Sequence, residues 1–171
     1  SLDPESGDEM WRVTYEDGFS NVPRPIFENG IVYIVTGFQQ PTLMALRVDG
    51  RGDVSETHVD WVKRRAVPHT SSPILVGNEL YMVSDVGVIS CLDAITGETI
   101  WQQRIGGNFS SSPVLNSGNI YFTSEQGTTT VIRATPKYEL VSSNKMDQRV
   151  LSSITPADGV IFMRTQTHLY C

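Results

Sequence analysis

The 171-residue sequence predicts an all-β fold, a β-propeller of four-stranded antiparallel blades, with about four blades' worth of chain. Three observations predict it. A Ser-Ser-Pro segment recurs at a fixed shift, an aromatic-centred strand follows it at constant distance, and a turn containing Asp and Gly leads repeatedly to a Trp. No stretch carries the 3.6-residue periodicity of a long amphipathic helix.

The first observation sets the period. Ser71-Ser72-Pro73-Ile74-Leu75 returns as Ser111-Ser112-Pro113-Val114-Leu115, and 71–87 matches 111–127 at seven of 17 positions. The second counts the copies. Pro25, Pro73, Pro113 and Ile154 each precede an aromatic residue (Tyr33, Tyr81, Tyr121 and Phe162) by eight positions, so four copies lie 48, 40 and 41 residues apart. A four-stranded unit repeating every ~40–45 residues is what propeller blades show.

Within the cleanest copy, Pro113–Asn116 reads as strand one and Ser117-Gly118 as a tight hairpin turn. Ile120–Ser124, rich in β-branched and aromatic residues, reads as strand two. Glu125-Gln126-Gly127 turns the chain into Thr128–Arg133, strand three. In the preceding copy Thr96-Gly97 makes the next turn and Ile100–Arg104 forms strand four. The chain divides accordingly into an outer strand (1–19), blades at 20–65, 66–105 and 106–148, and an incomplete blade at 149–171.

The third observation explains how blades dock. Asp93 to Trp101 is matched by Asp3 to Trp11, and more loosely by Asp49-Gly50 to Trp61. Gly7 and Gly97 supply a positive φ at their turns, while Asp3 and Asp93 can accept bonds from nearby backbone amides. Trp11, Trp61 and Trp101 offer large apolar faces to wedge between neighbouring blades. The third unit has Val141 where that Trp is expected.

Asp-x-x-Thr-Gly-x-x-x-Trp, followed by Ser-Ser-Pro and a Tyr-centred strand, resembles the pyrroloquinoline-quinone (PQQ) repeat, or quinoprotein-like, propeller family over essentially the whole chain. That resemblance implies one of two functions, since one fold hosts many. The family holds alcohol and glucose dehydrogenases that bind PQQ with calcium. It also holds cofactor-free members, such as the lipoprotein that scaffolds outer-membrane protein assembly. The adjacent Cys-Cys pair of the alcohol dehydrogenases is missing, since Cys91 and Cys171 each stand alone. The expected function is therefore a non-catalytic binding or protein-interaction scaffold with no cofactor. The alternative is a fragment of a PQQ- and calcium-dependent dehydrogenase. The resemblance also implies a periplasmic or secreted location, although the chain carries no signal-peptide pattern.

The N-terminal 19 residues supply only an outer strand, and the last 21 supply the first three strands of a blade. The N-terminal strand is thus able to complete the last blade, removing exposed edges. A full ring of seven or eight blades is usual in the family. The partner expected at the edges is a second copy of the chain, in a homodimer, or a missing half-propeller.

Strand alternation puts the loops between strands two and three on the same face as the blade-to-blade crossings. That face, the mouth of the central channel, collects Asp85, Glu125, Gln126 and Gln166 from the loops. From the crossings it collects Arg24, His69, Ser71, Asn108, Ser110 and Arg149. A ring of donors there suits a protein partner or a small polar or anionic ligand.

Other chemistries lack their residues. A net charge of -6 argues against nucleic acid, and no apolar run approaches the ~20 residues of a membrane span. His58, His69 and His168 have no metal-ligand spacing, and no Asp-rich calcium loop is present. Neither a Gly-x-Ser-x-Gly elbow nor a Cys–His pattern marks a nucleophile.

Overall fold

A computed structural model describes residues 1–16, 19–37 and 39–171. The chain opens with a two-residue strand, β1 (Trp11–Arg12), and continues through three complete blades and a partial one. The first blade contains β2 (Ile26–Glu28), β3 (Ile31–Thr36) and β4 (Thr42–Arg47). After β4 a long turn holds a short strand, β5 (Gly52–Asp53), before the outer strand β6 (Val59–Lys63). The second blade is β7 (Ile74–Val76), β8 (Glu79–Val83), β9 (Val88–Asp93) and β10 (Thr99–Arg104). The third is β11 (Val114–Asn116), β12 (Asn119–Thr123), β13 (Thr128–Arg133) and β14 (Leu140–Lys145). The partial blade is β15 (Thr155–Ala157), β16 (Val160–Arg164) and β17 (Leu169–Tyr170). Neighbouring strands within every blade run antiparallel. Among the described residues no helix is long and apolar enough to cross a membrane.

Burial follows position within the blade. The third strands β4 and β9 are buried over Leu43–Leu46 and Ile89–Leu92 on both faces, because each is sandwiched between neighbouring layers. Such strands read as continuous apolar runs rather than alternating ones. Outer strands β10 and β14 are mostly exposed. The core is accordingly distributed between blades. Tyr33, Val35, Leu43 and Ala45 of the first blade pack on Leu80, Met82 and Leu92 of the second. Tyr81, Val83, Ile89 and Cys91 of the second meet Ile120, Phe122 and Ile132 of the third.

A bulge lies between strands three and four of all three complete blades, and it fixes which outer residue faces inward. Ala45 pairs with Trp61 and Cys91 with Trp101, while Val131 pairs with Ser142. Ser142, not Val141, therefore occupies the tryptophan position of the third blade. The cause is a turn one residue longer: Asp93 N bonds Glu98 O, but Arg133 N bonds Glu139 O.

The innermost strands are tied by a ladder of hydrogen bonds. Arg24 N donates to Ser72 Oγ (2.9 Å), Ser72 N to Ser112 Oγ (3.0 Å) and Ser112 N to Ser153 Oγ (2.9 Å). Each rung joins a backbone amide to the hydroxyl of the next blade.

The N-terminal strand takes a different partner from the last blade. β1 pairs in parallel with β5, and Trp11 buries against Met44, Leu46 and Val54 on the outward face of the first blade. The long turn of that blade presents an edge and an apolar floor at the point where the Trp11 segment arrives.

Candidate functional site

The mouth face is built where the loops between strands two and three meet the crossings. Backbone bonds stitch the two together: Phe109 N donates to Asp85 O, Glu125 N to Asn108 O, Val150 N to Glu125 O and Gln166 N to Arg149 O. Gly87 and Gly127 sit in these loops at positive φ, where a Cβ would run into backbone carbonyls at 2.3–2.5 Å. Only glycine allows the crossing to approach so closely.

Side chains on this face pair mainly with one another. Asp85 accepts from His69 N (3.0 Å) through Oδ1, and its Oδ2 lies 2.5 Å from His69 Nδ1. Glu125 Oε1 accepts from the Ser110 hydroxyl, and its Oε2 lies 3.1 Å from Arg149 Nη2. These two partners hold the Glu125 carboxyl below the ordinary carboxylate range, the Ser110 bond most of all. Gln126 Oε1 accepts from Asn108 N at 2.9 Å. His69 with Asp85, and Ser110 with Glu125 and Arg149, are thus brought together, and Gln166 joins Arg149 in a shared pocket.

Two expected residues stand apart. Ser71 is fully buried, and its hydroxyl has no hydrogen-bond partner among the described residues, so it does not line the mouth. Its counterpart Ser111 donates to Thr123 O at 2.7 Å, which shows the position to be an internal tie between strands one and two. Arg24 contributes its backbone amide to the serine ladder, while its side chain is exposed and forms no ion pair among the described residues.

The docking residues have their own geometry. Asp93 Oδ1 accepts from Ile95 N (2.9 Å) and Thr96 N (2.8 Å), and Gly97 turns at φ 73°. Asp3 Oδ1 accepts from Glu5 N and Ser6 N, both at 2.9 Å, and Gly7 turns at φ 78°. Those backbone bonds, Ser6 first, hold the Asp3 carboxyl low. Trp61 Nε1 donates to Ala94 O (3.0 Å) across the joint between the first two blades.

Three further residues, Ser152, Arg164 and Thr165, line the pocket that holds Arg149 and Gln166 and escape the motif reading. Arg164 stands two residues after Phe162, as Val35, Val83 and Thr123 stand after their Tyr residues. All three counterparts are buried. A charged residue where the repeat has a buried one is the signal that would have found it.

The mouth face also exposes apolar side chains. Phe19 and Val22 lie in the crossing that leads into the first blade, Val86 in a loop of the second, and Leu151 in the last crossing; all are more than half exposed. Asn21 and Gly37 are joined by a 2.6 Å bond, which sets the first crossing beside its loop as in the other blades.

Among known proteins, a family model described as "Outer membrane protein assembly factor BamB" matches residues 53–170. The crystal structure of BamB from Moraxella catarrhalis is similar at 18% identity and a TM-score of 0.67, covering 93% of this chain and 47% of its own. A europium-containing methanol dehydrogenase is similar at 11% identity and a TM-score of 0.59, over 78% of this chain and 27% of its own. The quinohemoprotein alcohol dehydrogenase from Comamonas testosteroni is similar at 17% identity and 0.59, over 76% and 22%. The chain spans less than half the length of each of these structures. No curated protein sequence matches it.

Proposed function

The chain belongs to the PQQ-repeat propeller family whose model is described as an outer membrane protein assembly factor, and from that premise we propose that it is a non-catalytic interaction module that engages a protein through its mouth face. The observation that carries this reading is the character of that face. Its polar side chains are largely bonded to one another, while Phe19, Val22, Val86 and Leu151 stay exposed between them. A rigid polar frame with apolar side chains set into it suits a protein surface, where buried apolar contacts supply affinity and the polar rim supplies register. By the family's description, we take the protein to act in the periplasm or outside the cell.

Among the described residues no three His, Cys, Asp or Glu side chains converge, and Asp85 and Glu125 already accept bonds from His69, Ser110 and Arg149.

The test places a photo-crosslinking amino acid at Val86 or Leu151 and, as the control, at exposed Ile95 in a turn between strands three and four. The expected outcome in the native host is one discrete, identifiable protein adduct from Val86 and Leu151 and none from Ile95. Equal crosslinking from all three would remove the mouth as the interface, and saturable stoichiometric binding of PQQ with calcium would favour the dehydrogenase reading.

A further inference from the structure

We infer that the cleft between the first and second blades, on the face opposite the mouth, binds a small primary amine on a short aliphatic chain, with Glu28 taking its ammonium group. The inference goes beyond the interaction reading above and does not rest on it.

Both walls of the cleft belong to complete four-stranded blades. Strand alternation turns Ile26, Glu28, Ile31 and Tyr33 of the first blade towards the second, in the cross-strand pairs Ile26–Tyr33 and Glu28–Ile31. Facing them are Leu75 and the Ala94-Ile95 turn of the second blade. The cleft encloses about 280 Å³, at the low end of the range for small-molecule sites, so it suits a short chain. A second hollow of about 310 Å³ adjoins it, and Glu28, Asn29 and Asn78 stand on the rim common to both.

Ala94 anchors the walls. Its N donates to Asn78 O at 2.8 Å, and its O accepts from Tyr33 Oη (3.1 Å) and Trp61 Nε1 (3.0 Å). Val48 N donates to Gly30 O at 3.1 Å and ties down the opposite hairpin. The polar atoms of the floor are thereby satisfied, and a ligand meets apolar carbon that ends at a carboxylate.

Glu28 is exposed and enters no ion pair or side-chain hydrogen bond among the described residues. Arg47, which pairs with Ile31 across the same blade, is taken up by Asp60 at 2.8 Å and by the Thr57 carbonyl. Burial raises the pKa of the Tyr33 hydroxyl on the cleft floor, and the charges of Asp93, Asp60 and Glu28 raise it further, so the field there is negative. At the next joint Val76 holds the position of Glu28 and packs on the core, and the acid moves to Glu79 on the adjoining strand.

Together these groups select the ligand. An aliphatic chain lies along Ile31, Leu75 and Ile95, its ammonium reaches Glu28, and the side-chain oxygens of Asn29 and Asn78 accept its remaining N–H donors. A neutral alcohol lacks the charge, and an anion is repelled by the acid.

The experiment titrates the nitrogen-15-labelled whole chain with n-hexylamine, n-hexanol and hexanoate, following the backbone amides by NMR. Hexylamine is expected to give saturable shifts centred on Asn29, Gly30, Asn78 and Ile95, and to bind at least tenfold more tightly than hexanol or hexanoate. Glu28→Gln should weaken it at least tenfold, while Glu79→Gln at the next joint should change it less than twofold. Shifts scattered over the surface, equal affinity for hexanol, or equal losses from the two variants would overturn the site. Tighter binding of a peptide carrying one lysine than of hexylamine would overturn the small amine and reassign the cleft to a partner's lysine. The crosslinks from Val86 and Leu151, on the opposite face, report on the interaction reading independently of all these results.

Discussion

Two joints in this molecule use the same residues and reach different ends. Between the first and second blades, Tyr33 Oη (3.1 Å) and Trp61 Nε1 (3.0 Å) both donate to Ala94 O, and the rings lie 5.9 Å apart. Between the second and third, the equivalent Tyr81 and Trp101 lie 6.1 Å apart, yet Trp101 Nε1 is buried with no hydrogen-bond partner among the described residues, and Tyr81 Oη turns to the Cys91 thiol rather than to a carbonyl. The difference comes from the following blade's turn. Asp93-Ala94-Ile95-Thr96-Gly97 is a tight turn whose glycine lies flush on Trp61; a Cβ there would meet the indole at 2.5 Å. Arg133-Ala134-Thr135-Pro136-Lys137 is longer, closes with Thr135 Oγ1 bonded to Lys137 O, and presents no carbonyl to Trp101. Tyr138 covers the indole instead, edge-on at 5.2 Å. The lesson is that a repeat residue's role is completed by its neighbour's turn. The second joint exchanges bonds to a carbonyl for aromatic packing, and its orphaned indole donor costs about 1–3 kcal/mol.

The largest way to break the contrast is at the turn. Gly97→Ala adds a Cβ against Trp61 at φ 73°, so overpacking and left-handed strain combine to destabilise by about 3 kcal/mol or more. Gly118→Ala, at φ 74° with nothing near, should lose only about 1–2 kcal/mol. Urea unfolding midpoints measure both, and equal losses would show that Trp61 yields easily.

A subtler comparison removes the indole nitrogens. Trp61→Phe and Trp101→Phe delete similar rings, but only the first breaks a bond. We expect Trp61→Phe to cost about 1–2 kcal/mol more, because removing an unsatisfied donor is nearly neutral. Matching losses would mean that Trp101 has an acceptor in solution, such as an ordered water.

The smallest effect is alkaline. Cys91 pairs with Tyr81 across the second blade, and Ala45 takes its place in the first. Burial pushes the Cys91 thiol up to about 11, and burial raises Tyr81 as well. A thiol that ionises near 9 when unfolded, but near 11 when folded, makes unfolding release a proton between those values. Its contribution to stability is therefore intact below about pH 9 and falls as the pH rises towards 11. Cys91→Ala should flatten that part of the stability profile, leaving a residual slope from the tyrosines; an unchanged slope would assign the whole effect to them.

Much of this was legible along the chain because it is local. The 40-residue shift, the hairpin turns and the Asp93 turn involve residues within a few positions of each other, and the third strand expected at 128–133 forms there. The candidate site was legible in outline. His69 and Asp85, and Glu125 with Ser110 and Arg149, lie on loops that alternation alone puts on one face. Arg164 was hidden because its significance depends on comparing the same position in four blades. Ser71 reads as a surface residue because it stands beside a turn, whereas the position lies inside the blade, where its counterpart Ser111 ties strand one to strand two.

By itself, then, the sequence determined the blade: its period, its strand order, its turns and the face on which the loops gather. Tertiary structure alone decided how blades address one another. Ser72 meets Ser112 and Ser112 meets Ser153 across 40 and 41 residues, and β1 chooses β5 over the last blade. A one-residue lengthening of a turn moves the tryptophan position from Val141 to Ser142. Local propensity acts within a strand or a turn, whereas a carbonyl finds its donor only after two separately built sheets have been pressed together.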